Sequence, residues 1–126
     1  MIKATELRLG NIVLFQSFPQ EVRLSEIEIQ KYVNDRLLHE SHGVDPMPLT
    51  TEILINSGFL ENSEDYEDAG HRVDYLLQHL SLVKLGGNDG FDPQFQDVFG
   101  FTRVRYVHQL QNLYFALYGE ELNIVL

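Results

Sequence analysis

Tyr106-Val107-His108-Gln109-Leu110-Gln111-Asn112-Leu113-Tyr114-Phe115-Ala116-Leu117-Tyr118-Gly119 is the stretch on which the reading of this chain turns. Val107, Leu110, Leu113, Tyr114 and Leu117 recur at i, i+3, i+6, i+7 and i+10, the stripe of an amphipathic helix, and Gly119 stops it. The spacing predicts a helix over 107–118 with one face in a core. From Tyr106 to Tyr118 there is no Asp, Glu, Lys or Arg. A second face carries His108, Gln111, Asn112 and Phe115 at i, i+3, i+4 and i+7. Helix surfaces open to water normally carry charge. Neutral amides beside an aromatic suit a covered surface, because they can be hydrogen-bonded without stripping water from an ion. Two readings stand side by side. The face packs within the monomer, or it is a candidate interface that meets a partner, most simply a second copy across a two-fold axis.

Upstream, Thr102–Val107 alternates as a final strand. Gly86-Gly87-Asn88-Asp89-Gly90 reads as a loop joining hairpin strands. His71–Leu85 fits two periods, and strands around a turn at Gln78-His79 are preferred because that loop follows. Residues 61–70 read as an acidic surface loop. Before them lies a second helix signal. Pro46 and Pro48 keep the chain extended, Thr50 is placed as an N-cap, and Glu52 sits in the first turn. Leu49 and Leu54 are spaced for a hydrophobic staple, and Gly58 supplies a left-handed C-cap. The expected helix is 51–57, with Phe59 and Leu60 folding back onto the core. At the N-terminus Leu7–Phe15 reads as a strand bent at Gly10, Phe18-Pro19-Gln20 as a turn and Glu21–Ile29 as a second strand. A third strand is expected near Arg36–His39. Asn123–Leu126 either pairs as a short strand or trails.

The pattern gives one α+β domain over 1–126. Its antiparallel, partly barrel-like sheet uses Leu7–Phe15, Glu21–Ile29, parts of His71–Val98 and Thr102–Val107, with two helices packed on it. The expected core is Leu9, Val13, Ile27, Ile53, Leu54, Phe59, Leu110, Leu113, Tyr114 and Leu117.

Composition narrows function by exclusion. The chain has 126 residues, 9 Lys+Arg against 19 Asp+Glu, and a net charge of -10. Such a balance disfavours binding to nucleic-acid phosphates or anionic membranes. Cysteine is absent, which excludes disulfides, thiolate chemistry and cysteine-ligated metals. No run approaches the roughly 18 apolar residues of a membrane span, and Lys3 interrupts the opening stretch, so a cytoplasmic location is expected. Charge is uneven: residues 1–60 carry 5 basic and 8 acidic side chains, residues 61–126 carry 4 and 11. Much of the excess lies in a candidate acidic patch, Glu61, Glu64, Asp65, Glu67 and Asp68. Such a patch keeps a protein soluble, or imitates nucleic-acid phosphates against a basic protein.

Chemical motifs are thin. His39-Glu40-Ser41-His42 spaces its histidines three apart rather than four and reads as a solvated loop, not a metal site. The glycine-rich loop lacks the GxxxxGK[ST] lysine and hydroxyl, and Asp89 would repel a phosphate. With Asp92 the same loop offers oxygens to calcium, but the EF-hand order is missing. No serine sits in a GxSxG elbow. No catalytic residue, metal ligand or cofactor is therefore assigned.

Three blocks carry a resemblance: Glu6-Leu7-Arg8-Leu9-Gly10-Asn11-Ile12-Val13, then Pro46-Met47-Pro48-Leu49-Thr50 through Gly58-Phe59, then Tyr106 through Leu117 with Gly119-Glu120-Glu121-Leu122. Together they resemble a family of small proteins of Bacteroidetes bacteria and their phages. This sequence departs from that pattern at Met47, Thr51 and Tyr118. The resemblance implies a bacterial or phage setting and a single full-length domain, and supplies no activity and no site residues. The Leu-x-x-Gly-Asn-x-Val opening also looks like the first strand of SH3-like small barrels. The expected function is a non-enzymatic binding or adaptor module with a protein partner or a second copy of itself. The alternatives are an acidic nucleic-acid-mimicking inhibitor of a basic protein, and an enzyme with an unrecognised site.

Overall fold

The computed structural model describes residues 2, 4–15, 17–36, 44–66, 70–85, 89–96 and 101–126. It is an α+β chain with two antiparallel sheets, grouped into two compact units. The first unit is Met1–Pro48 with Tyr106–Leu122, the second Leu49–Arg105 with Asn123–Leu126.

In the first unit a 3-10 turn, Ala4–Glu6, precedes the hairpin β1 (Ile12–Phe15) and β2 (Phe18–Glu21). Pairing runs from Ile12↔Glu21 to Phe15↔Phe18. The turn therefore comes earlier than Phe18-Pro19-Gln20, at Ser17 with its φ of 69°. Pro19 is tolerated because β2 is an edge strand. The other edge of β1 is bridged by Asp45, whose N–H and C=O pair with Leu14 at 2.8 and 2.9 Å. Val13 is buried in a cluster with Ile2, Leu7, Val22 and Val44, and Phe15 and Ile27 pack against that cluster.

The expected strand Glu21–Ile29 is instead mostly helix: α1 spans Leu24–Arg36. Its inward positions explain why the period misled. Glu26 and Gln30, one turn apart, are both buried although both are polar. Gln30 satisfies its amide on backbone, donating to the Ile2 carbonyl and accepting from Val44 N–H. Glu26 accepts from Gln20, Arg23 and Ser25. An amphipathic stripe whose dry face is built from satisfied polar groups leaves no apolar signal at helical spacing. The proposed third strand fails at Arg36, which ends α1; residues 37–39 lie outside the described residues. Leu9 is also not core. Gly10 takes φ +84° in a turn closed by Asn11 N–H to Arg8 C=O, which points Leu9 to solvent and leaves Leu7 buried. The helix α3 (Val107–Tyr118) forms as expected, with Gly119 as its left-handed C-cap. Leu110 and Tyr114 are buried, Leu113 and Leu117 half-buried.

In the second unit α2 (Thr51–Asn56) starts at the Thr50 cap, whose hydroxyl accepts from Ile53 N–H. Leu49 and Leu54 are both buried, as a staple requires. Ser57 is the C-cap, and Gly58 follows it at φ +103°. Phe59 turns inward, but Leu60 does not. The sheet is a meander, β3 (Leu60–Tyr66), β4 (Gly70–Leu77), β5 (Leu80–Leu85) and β6 (Asp92–Phe95), in that order. The turn at Gln78-His79 lies where the sequence put it. Within the acidic loop expected over 61–70, residues 61–66 are corrected to strand, while 67–69 lie outside the described residues: β3 pairs along its length with β4, from Leu60↔Leu76 to Tyr66↔Gly70. As an edge strand with Glu61, Asn62 and Ser63 all exposed, it has no alternation to reveal it. The final strand over 102–107 is also absent. Val104 makes a single bridge to Phe91 and Tyr106 another to Pro48 before α3 begins. Neither sheet closes into a barrel, so the partly barrel-like expectation gives way to two open antiparallel sheets, and the SH3-like likeness gains no support. Asn123–Leu126 trails without strand pairing; Val125 N–H donates to Ser57 Oγ at 2.9 Å.

Candidate functional site

The uncharged face of α3 is largely covered by the chain itself. The segment Glu6–Ile12 runs along it and meets each amide with backbone or side-chain groups. Gln111 Oε1 accepts from Ile12 N–H at 2.7 Å, and its Nε2 donates to the Gly10 carbonyl at 3.2 Å. Asn112 Oδ1 accepts from Arg8 Nε at 2.8 Å and from Asn11 Nδ2 at 3.0 Å, while Asn112 Nδ2 donates to the Glu6 carbonyl at 2.7 Å. The turn at Gly10 strands backbone groups that no ladder collects, and two adjacent amides, each donor and acceptor, match them. Arg8 completes the clasp. Its guanidinium reaches the Gln111 carbonyl, pairs with Glu121 at 2.7 Å, and lies 4.3 Å from the centre of the Phe115 ring.

Of the four candidate interface residues, His108 and Gln111 are buried, at 1% and 4% exposure. Asn112 is half-buried and Phe115 is 40% exposed. The amide positions are thus occupied within the monomer, and a second copy is not needed to cover them. His108 stands apart. Its ring stacks on Tyr106, with centroids 6.1 Å apart, and neither ring nitrogen has a hydrogen-bond partner among the described residues. Glu6 Oε2 lies 3.9 Å from Nε2, close enough to attract a proton but too far for a hydrogen bond. Burial pushes the imidazole below its usual pKa, and the Glu6 charge partly opposes that.

Of the candidate acidic patch, Glu61 is exposed on β3, Glu64 and Asp65 occupy the same strand, and Glu67 and Asp68 lie outside the described residues. The His39–His42 stretch also lies outside them. Among the described residues no three His, Asp or Glu side chains cluster to hold a metal.

Sequence reasoning missed a surface on the second unit. The pairing register sets Leu60, Leu76, Ser81 and Gln94 in one row and Asn62, Asp74, Val83 and Asp92 in the next, all on one face of the sheet. Leu60 is 73% exposed and Leu76, directly opposite, 37%. On the same face an open groove of about 350 Å³ is lined by Arg72, Val83, Leu85, Asp92 and Gln94, with Pro93 and Phe101 at its side. Ion pairs flank it. Arg72 grips Asp74 through two bonds of 2.8 and 3.2 Å, and Arg103 holds Asp92 at 2.9 Å. Their charges are neutralised locally, and the floor between them is largely apolar. Only strand register could have revealed this face, and β3 carried no sign of being a strand.

No family profile, curated protein sequence or solved structure matches this chain. Among the described residues no helix is long and apolar enough to cross a membrane.

Proposed function

We propose that the protein is a non-enzymatic binding module that takes a protein partner on the Leu60–Leu76 face of its four-stranded sheet. The observation that carries this is the pair itself: two leucines exposed side by side across β3 and β4, on the sheet face that also carries an open groove with an apolar floor. A lone exposed leucine is ordinary, but apolar neighbours on a face that also carries a concavity are what binding surfaces use. Neutralised ion pairs at the rim suit an interface that excludes water at its centre. The setting proposed is the cytoplasm of a bacterium or a phage-infected cell, following the sequence resemblance.

The test is proximity cross-linking in a bacterial host, followed by reconstitution of each captured protein with purified chain. Leu60→Asp with Leu76→Asp, both at exposed positions, should weaken the reconstituted complex at least tenfold while leaving the circular dichroism spectrum intact. Phe115→Ser, on the first unit, should leave binding unchanged. Full affinity in the double aspartate variant would sink the reading.

A further inference from the structure

We propose that His108 makes the contact between the N-terminal segment and α3 a latch that opens on acidification. The inference rests on geometry in the first unit alone and is independent of the sheet face. The imidazole is almost wholly buried, and both of its nitrogens lack hydrogen-bond partners among the described residues. It is the second residue of α3, where the N-terminal peptide dipoles oppose a positive charge. The groups facing it are few. The 3-10 turn brings Glu6 to 3.9 Å, with a half-exposed carboxylate whose attraction water screens. The N-cap presents the uncharged Tyr106 ring. Arg8, two residues beyond Glu6, is committed to Asn112 and Glu121.

A proton on His108 therefore finds, among the described residues, only the water-screened Glu6 carboxylate 3.9 Å away, whereas water solvates it fully once the segment lifts. The open state binds the proton more tightly, so acid favours opening. Gln111 and Asn112, which hold Gly10, Asn11, Ile12 and Glu6, lie one turn along the same helix face. Opening would free this amide-rich face and Phe115 together.

The sign follows from linkage. The closed-state pKa of His108 lies below that of the exposed imidazole, about 6.5. The opening equilibrium is then flat above that pH and grows as pH falls below it. Between pH 7.5 and 5.5 the rise is at most about tenfold. The assay is hydrogen exchange of the Ile12 amide by NMR, corrected for the intrinsic pH dependence of exchange. Wild type should show a clear rise that stays short of that limit, because the Glu6 charge raises the closed-state pKa. His108→Gln should be flat. Glu6→Gln removes the one attraction that favours a proton in the closed form, so its rise should exceed that of wild type. A flat wild-type profile, an undiminished rise in His108→Gln, or a smaller rise in Glu6→Gln would each overturn the latch. Should His108→Gln fail to fold, the Glu6→Gln comparison decides.

Discussion

Replacing Gln111 by Leu separates two explanations of the uncharged helix face. If the face is covered simply because it packs, an apolar side chain of similar volume should serve as well or better. If Gln111 is there to satisfy the backbone of the Gly10 turn, Leu is costly. Gln111 is 4% exposed, and its amide makes bonds of 2.7 Å to Ile12 N–H and 3.2 Å to the Gly10 carbonyl. Each net hydrogen bond contributes about 0.5–1.5 kcal/mol, and a buried N–H left without a partner costs about 1–3 kcal/mol. The expected loss for Gln111→Leu is therefore about 2–4 kcal/mol, a large share of the roughly 5–15 kcal/mol by which a domain is stable. Gln111→Glu adds a second handle. It keeps an acceptor for Ile12 but loses the donor to Gly10 and buries a charge, so it should cost at least as much. Urea unfolding followed by circular dichroism at 222 nm measures both. A Leu variant within about 0.5 kcal/mol of wild type would refute the backbone-satisfaction argument and leave packing as the explanation.

Asn11 and Asn112 bond at 3.0 Å, so single alanine variants and the double should be non-additive in urea unfolding, with a coupling of about 0.5–1.5 kcal/mol; additive losses would mean that the contact does not form in solution. Gly90→Ala should destabilise by about 1–3 kcal/mol, because Gly90 has φ +82° and a Cβ there would stand 2.8 Å from Arg105 Cγ and 2.9 Å from the Val104 carbonyl oxygen; a neutral change in melting temperature would contradict that crowding. Thr50→Ala should cost about 1 kcal/mol through loss of the cap on Ile53 N–H, read by thermal unfolding and rescued by Thr50→Ser. Hydrogen bonds from Arg23 and Ser25 hold the Glu26 carboxyl at about 2, below its ordinary 4.5, so its contribution is present above pH 4.5 and lost as pH falls toward 2. Glu26→Gln should flatten the stability profile across that acid window, and an unchanged slope would show that another carboxylate governs it.

What the sequence disclosed, and what it withheld, follows one physical line. Elements that bury an apolar face were legible. The stripe from Val107 to Leu117 predicted α3, the Thr50 cap with Leu49 and Leu54 predicted α2, and Tyr75 and Leu82 marked strands that meet across the Gln78-His79 turn. Elements whose dry face is polar, or which have no dry face, were not. Glu26 and Gln30 are buried by virtue of partners, and those partners are a carbonyl, an N–H and neighbouring side chains that carry no pattern of their own. On β3 three successive exposed residues erase the alternation. The α3 face falls between these cases. Its lack of charge announced that it was covered, but the cover is the backbone of Glu6, Gly10 and Ile12, and a backbone donor looks the same in every sequence. One clue was available. A Gly-Asn turn strands peptide groups, and a helix that offers adjacent Gln and Asn with no competing charge is a natural place for them to dock. Read together, Gly10-Asn11 and Gln111-Asn112 point at each other across a sequence separation of about a hundred residues, and the Asn11–Asn112 bond closes that distance.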